Sequence, residues 1–238
     1  MNQLNAYQSE PFNQADEIRA VLTRPKPIGF GISPRSVDTH EGMNGCCLSL
    51  CFQWMKLKMS NSKESAQDRI TSIRATIPKV ILRQKLQSEL WAVGGGEANY
   101  TAPATYIGVK LKTSDLNREQ VKPNLTGRIA FCELLRNTKK TSLLMDYRWP
   151  DESGHAVAWY VSSGKVFNAK QHIYFFDPNF GEYKVLLKDR QDFVTQYFAA
   201  INRVFRPNPV IGYNTVAVAN DKSMKNFWER KGLICQKM

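Results

Sequence analysis

The chain has 238 residues, 42% of them hydrophobic and 23% charged, and Lys plus Arg exceed Asp plus Glu by 33 − 21 = 12. A chain of this length buries roughly 70% of the surface that its unfolded form exposes. The composition argues against a mainly disordered polymer, and no apolar run approaches the roughly 20 residues of a membrane-spanning helix.

The positive excess favours acidic partners, such as an anionic membrane surface or an acidic protein. The cations are scattered (Lys79, Arg83, Lys85; Arg136, Lys139, Lys140; Lys222, Lys225, Arg230, Lys231) and form no nucleic-acid-binding signature, so no specific nucleic acid is expected. Five cysteines without evenly spaced pairs point to reduced thiols in a cytosol-like compartment.

Residues 1–40 are rich in Asn, Gln, Ser and Pro and carry no Sec-type signal, which predicts a polar, partly disordered leader ahead of a domain at 41–238. The stretch Gly42-Met-Asn-Gly-Cys-Cys-Leu-Ser-Leu-Cys-Phe-Gln-Trp54 follows. Asn44-Gly45 are turn formers, and Leu50, Cys51, Trp54 and Leu57 recur at helical spacing. The pattern predicts a helix with one buried face that starts at Cys47 and ends near Ser60.

Two helices are expected next, around 63–75 and, after Pro78, over 79–92, where Gly94-Gly-Gly96 breaks the pattern. That glycine run lacks the Gly-Lys-Ser/Thr ending of a phosphate loop. A short strand near Tyr106–Leu111 and a helix near Thr126–Arg136 follow. Strands are then read at Ser142–Arg148, His155–Val161, Ile173–Phe176 and Tyr183–Leu187, from aromatic and β-branched residues punctuated by turns. A last helix over Arg190–Phe205 carries Phe193, Tyr197, Phe198, Ile201 and Phe205 on one stripe. Helices followed by an antiparallel sheet is the α+β layout.

Only three histidines could act as a general base: His40, His155 and His172. His155 starts a strand, and Asp177, before Pro178, ends the next one. If the two strands form a hairpin, the midpoint of 155 and 177 falls at 166, inside the connection, and the two side chains face each other about 5 Å apart. His172 falls on the opposite face by strand parity.

A thiol, an imidazole that takes its proton and a carboxylate that fixes the tautomer are the parts of a nucleophilic site. A helix N-terminus adds partial positive charge that favours a thiolate. Each residue taken alone has a plainer reading, as a core thiol, a structural histidine and a turn-forming aspartate. Zinc at Cys47 and Cys51 would need two further ligands, and no second Cys-x-x-Cys or His pair supplies them, so neither metal nor cofactor is expected.

Gly45-Cys-Cys47-Leu-Ser-Leu-Cys-Phe-Gln-Trp54 resembles the Gly-x-Cys-x-x-Leu-x-x-x-Trp nucleophile segment of the YopT/AvrPphB-type cysteine proteases. Gly154-His-Ala-Val-Ala158 and Phe175-Phe-Asp-Pro-Asn-Phe-Gly-Glu-Tyr183 resemble that family's His and Asp segments, and the likeness covers about residues 42–205. It implies a papain-like fold and a triad of Cys47 as nucleophile, His155 as general base and acid, and Asp177 as orienting carboxylate. The N–H of Cys47 would serve the oxyanion, with Asn44 as the candidate side-chain donor and Gly45 giving close approach.

The resemblance further implies a bacterial effector, secreted by a type III-like route with a secretion chaperone at its N-terminus. Such an effector cuts a host protein, for instance a lipidated small GTPase, in the host cytosol or at the host membrane. The triad alone is compatible with a deamidase, transglutaminase or acyltransferase, and the charge alone with a non-enzymatic basic module.

Overall fold

The computed structural model of the protein describes residues 4–23, 46–92, 98–111, 124–150, 154–163, 171–204 and 210–220. Strands β1 (Gln8–Pro11), β2 (Val109–Leu111), β3 (Thr141–Arg148), β4 (Gly154–Val161), β5 (His172–Asp177), β6 (Gly181–Leu186) and β7 (Gly212–Asn220) form one sheet, in the order β1-β6-β5-β4-β3-β7-β2. Every neighbouring pair is antiparallel. Helices α1 (Gln14–Thr23), α2 (Cys47–Ser60), α3 (Ala66–Ala92) and α4 (Ala98–Ile107) gather on one face, and α5 (Leu125–Asn137) and α6 (Arg190–Val204) on the other.

The architecture is the expected α+β class, with both faces of the sheet covered. In β4, Ala156, Ala158 and Tyr160 join the α2-side core, while Val157, Trp159 and Val161 join the α6-side core. The strand is therefore buried from His155 to Val161, and its sequence reads as an almost unbroken apolar run. Trp159, Phe175, Phe193 and Tyr197 pack edge to face in the second core. Each such aromatic, burying about 150–250 Å², gains roughly 4–6 kcal/mol of transfer free energy against its ordering entropy.

Helix α2 starts and ends where its spacing predicts, but its burial differs. Six consecutive residues, Cys47 to Phe52, are all buried, so the helix has no single apolar face. The sheet lies against one side of α2 and helices α3 and α4 against another. Such a helix reads as core all round.

The break expected at Pro78 does not occur: α3 runs unbroken for 27 residues with Pro78 inside it. Pro78 sits on the exposed side, while Ile70, Ile73, Ile77 and Val80 keep the opposite stripe buried. Losing one N–H at a solvated carbonyl costs the helix less than giving up that stripe. The expected strand at 106–111 is shorter. Helix α4 continues to Ile107, and Gly108, at φ +83°, ends it by donating its N–H to Ala104 O before β2 begins.

Two parts of the sheet had no counterpart in the sequence reading. Strand β7 pairs with both β3 and β2. Residues 4–23, read as part of a leader, belong to the fold: β1 forms the edge of the sheet on β6, and α1 packs on α3. Phe12 and Ile18 are buried there, and this apolar anchorage offsets the polar composition that suggested a loose arm. Gly94–Gly96, His40 and residues 24–45 lie outside the described residues.

Candidate active site

The site lies at one end of the sheet, between the two helical layers. Helix α2 delivers Cys47 as its first residue, with Cys46 at the N-cap and the ladder opening at Leu50 N–H to Cys46 O, 2.9 Å. The Cys47 sulfur accepts the backbone N–H of Ala156 at 3.4 Å, beside His155 at the start of β4. One turn along α2, the Cys51 thiol donates to Ala156 O at 3.2 Å. The two cysteines of α2 thus bracket one residue of β4.

His155 and Asp177 meet as their shared face predicts, through a different register. Ala158 pairs with Phe176 and Val161 with Ile173, so paired numbers sum to 334 rather than the 332 expected from a midpoint of 166. A shift of two residues keeps the parity, and the side chains meet diagonally instead of directly across. His155 Nε2 lies 2.8 Å from Asp177 Oδ1, and both residues are buried.

Asp177 is held from three sides. The Asn179 N–H donates to Oδ1 at 2.8 Å, and the Tyr197 hydroxyl of α6 donates to Oδ2 at 2.5 Å. The Phe180 N–H donates to the Asp177 carbonyl and closes the turn that follows β5. Tyr147 lies nearly parallel to the imidazole, with ring centroids 6.5 Å apart, and Trp149 packs against it at an angle.

These surroundings set the charge of the imidazole. Burial disfavours the cation, but the Asp177 charge, the hydrogen bond to Asp177 and a further one to the Cys47 side chain outweigh it and raise the His155 pKa to about 10. A cationic imidazole beside sulfur is the arrangement that favours a thiolate nucleophile.

The neighbouring thiols are placed differently. Burial, reinforced by the adjacent Cys47, pushes Cys46 up to about 12. Cys51, fully buried, is pushed well above the ordinary thiol range by burial, then by Cys47 and Asp177. Cys47, Cys51 and Cys132 are free thiols. The structure thus brings Cys47, His155 and Asp177 together, whereas Asn44 and Gly45 lie outside the described residues. His172 shares its face with Tyr174, away from Asp177.

The sequence reading missed Tyr197 and Glu182 as partners of site elements. Tyr197 is the single hydroxyl in the Phe-rich stripe of α6, and a tyrosine among phenylalanines signals a buried polar tip that needs a partner. Glu182, on β6, accepts Trp54 Nε1 at 2.7 Å and Arg69 Nε and Nη2 at 2.9 and 2.7 Å. This buried knot ties α2 and α3 to the strand that follows the Asp177 turn.

Helices and an antiparallel sheet in this arrangement match the crystal structure of the Pseudomonas avirulence protein AvrPphB at a TM-score of 0.55, with 18% identity over 74% of this chain and 92% of that one. The fold is that of the papain-like cysteine proteases. PatoxP, the cysteine protease-like domain of the Photorhabdus asymbiotica toxin PaTox, matches at a TM-score of 0.37 with 10% identity, over 85% of this chain and 57% of that one. The sequence carries the narrower assignment. The family model for peptidase family C58, described as Yersinia/Haemophilus virulence surface antigen, matches residues 3–206, and the chain belongs to that family. The match takes in β1 and α1. No curated protein sequence matches the chain significantly.

Proposed function

We propose that the chain is an effector-type cysteine endopeptidase in which Cys47 is the nucleophile, His155 the general base and acid, and Asp177 the residue that orients the imidazole. The observation that carries this reading is the buried hydrogen-bonded line from Cys47 through His155 to Asp177 at the first residue of α2.

With Nε2 engaged by Asp177, Nδ1 is the ring nitrogen left for the thiol. With the thiol proton already held on Nδ1 of the imidazolium, the sulfur attacks the carbonyl carbon of the scissile amide, and the C–N bond breaks as the imidazolium gives that proton to the leaving amine. Water, deprotonated by the same nitrogen, then cleaves the thioester to a carboxylic acid and restores the thiol. The Cys47 N–H, as the first of the helix, has no intrahelical acceptor and is our candidate donor to the oxyanion, with Asn44 as side-chain donor and Gly45 giving room for the substrate backbone.

The substrate is a host protein, for which a lipidated small GTPase is our candidate, and the route is a type III-like secretion with a chaperone at the amino terminus. The family's description as a virulence antigen supports this reading. The net charge of +12 favours residence near an anionic host membrane surface, where lipidated substrates lie. Host extract treated with wild type and with Cys47→Ala, followed by identification of new protein termini, tests the activity. Cuts made by wild type alone support a protease. Identical termini in both samples overturn the reading, and a substrate mass gain of about one dalton without fragments identifies a deamidase on the same triad.

A further inference from the structure

The amino-terminal segment touches all three residues of the turn that follows Asp177, Pro178 to Phe180, and the first residue of β6. The Gln14 N–H donates to Pro178 O at 2.7 Å, and its side-chain amide donates to Asn179 Oδ1 at 2.7 Å. Gln8 Nε2 donates to Phe180 O at 2.6 Å, and Pro11 pairs with Gly181. Gly181 adopts φ +112°, and a Cβ there would lie 2.2 Å from Glu10 O, so the strand and the turn are in backbone contact. Gln14 itself is buried.

We propose that Gln14 is a positioning residue of the catalytic pair, through which the amino-terminal segment sets where Asp177 holds His155. This rests on the protease reading for its functional meaning. The relay is short: the Gln14 amide fixes the Asn179 side chain, and the Asn179 N–H holds Asp177 Oδ1, the oxygen that meets His155 Nε2. As the first residue of α1, Gln14 also directs its otherwise unpaired N–H at the Pro178 carbonyl. The backbone bond to Pro178 survives a side-chain substitution, whereas loss of the Gln14 amide releases the Asn179 side chain, and the carboxylate that the Asn179 N–H holds gains freedom to drift from the imidazole.

The groups that face His155 are the Cys47 thiol from α2, Asp146 and Tyr147 from β3 and Asp177 from β5, with Tyr197 of α6 behind Asp177. Replacing Gln14 alters none of these charges, so a changed imidazole titration reads geometry alone.

The test is NMR titration of the His155 ring nitrogens in the full chain as wild type, Gln14→Ala, Asn179→Ala and Arg74→Ala. The last loosens the segment while leaving the Gln14–Asn179 bond intact, since Arg74 pairs with Glu17 at 2.6 Å and reaches Pro11 O at 3.4 Å and Glu10 at 3.9 Å. Gln14→Ala and Asn179→Ala are expected to lower the midpoint by one unit or more, a tenfold change in the protonation equilibrium, and Arg74→Ala to leave it in place. If Gln14→Ala does not fold, Asn179→Ala gives the same reading through the other end of the bond. A wild-type midpoint in whichever of the two folds overturns the proposal, as does an equal fall in Arg74→Ala. The readout is a titration, so it holds whether or not the chain cuts a given substrate.

Discussion

The Tyr197 hydroxyl donates to Asp177 Oδ2 across 2.5 Å, from the helical layer opposite the one that supplies Cys47. A neutral donor on a buried carboxylate is worth about 1.5–3 kcal/mol, because removing it leaves a buried charge short of a partner. Tyr197→Phe keeps the ring packing and deletes the hydroxyl that serves Asp177 and also meets Tyr147. It is expected to lower unfolding free energy by that amount in denaturant titrations, and to reduce kcat without abolishing turnover.

The three cysteines around the start of α2 are expected to react very unequally. Burial raises the thiols of Cys46 and Cys51, and Cys47 alone lies against the His155 imidazole. Brief treatment of the native protein with iodoacetamide should alkylate Cys47 about 100-fold faster than the other two, as read by peptide mass mapping, because the thiolate is the reactive species. Cys46→Ala should keep its activity; if it loses turnover while Cys47→Ala keeps it, the nucleophile has been placed one residue off.

The raised pKa of His155 makes stability depend on pH with a defined sign. The folded-state value of about 10 exceeds the unfolded value of about 6.5, so the folded protein binds the proton more tightly. The contribution is fully present below about pH 6.5 and is lost as the pH rises through about 10. Urea midpoints between pH 6 and 10 should show this decline in wild type, and His155→Gln should flatten it. A wild-type curve no steeper than that of His155→Gln would contradict the ion-pair account.

Glu182 carries the largest expected loss of stability. Its carboxylate is the shared acceptor of Arg69 and Trp54, and all three side chains are buried. Glu182→Ala would leave the buried guanidinium with only its longer contacts to Glu64, at 3.4 Å to the carboxylate and 3.2 Å to the carbonyl, at a cost of about 3–5 kcal/mol in unfolding free energy. Exchanging both Arg69 and Glu182 for apolar residues of similar volume should cost far less, which a double-mutant comparison by thermal or chemical melting can measure.

What the sequence made legible follows the range of the physical signal. Cys47 as a helix start, and His155 and Asp177 at neighbouring strand ends, are local signals of turn formers, periodicity and a stop at Pro178. Strand parity then placed the pair on one face even though the register moved by two residues. Strand β7 escaped because its Ala-Val-Ala-Asn ending has little apolar contrast, and its place between β3 and β2 is set by long-range pairing. Strand β1 escaped for the opposite reason: Gln-Ser-Glu-Pro has almost no strand propensity, and its pairing with β6 is imposed by the tertiary anchors Phe12 and Ile18. Pro78 misled because a local breaker was outweighed by a buried stripe that only packing reveals.

The strand order has a consequence in time. Strand β2, at residues 109–111, has β7 as its only partner among the described residues, and β7 ends at residue 220. Strand β1, near residue 10, likewise waits for β6 beyond residue 180. Both borders of the sheet therefore join segments more than a hundred residues apart, and loop closure of that span makes folding slow. A chain that emerges amino-terminus first cannot complete either border until most of its length is free, so β3, which flanks the strand of His155, stays without its second partner until residues 212–220 have emerged.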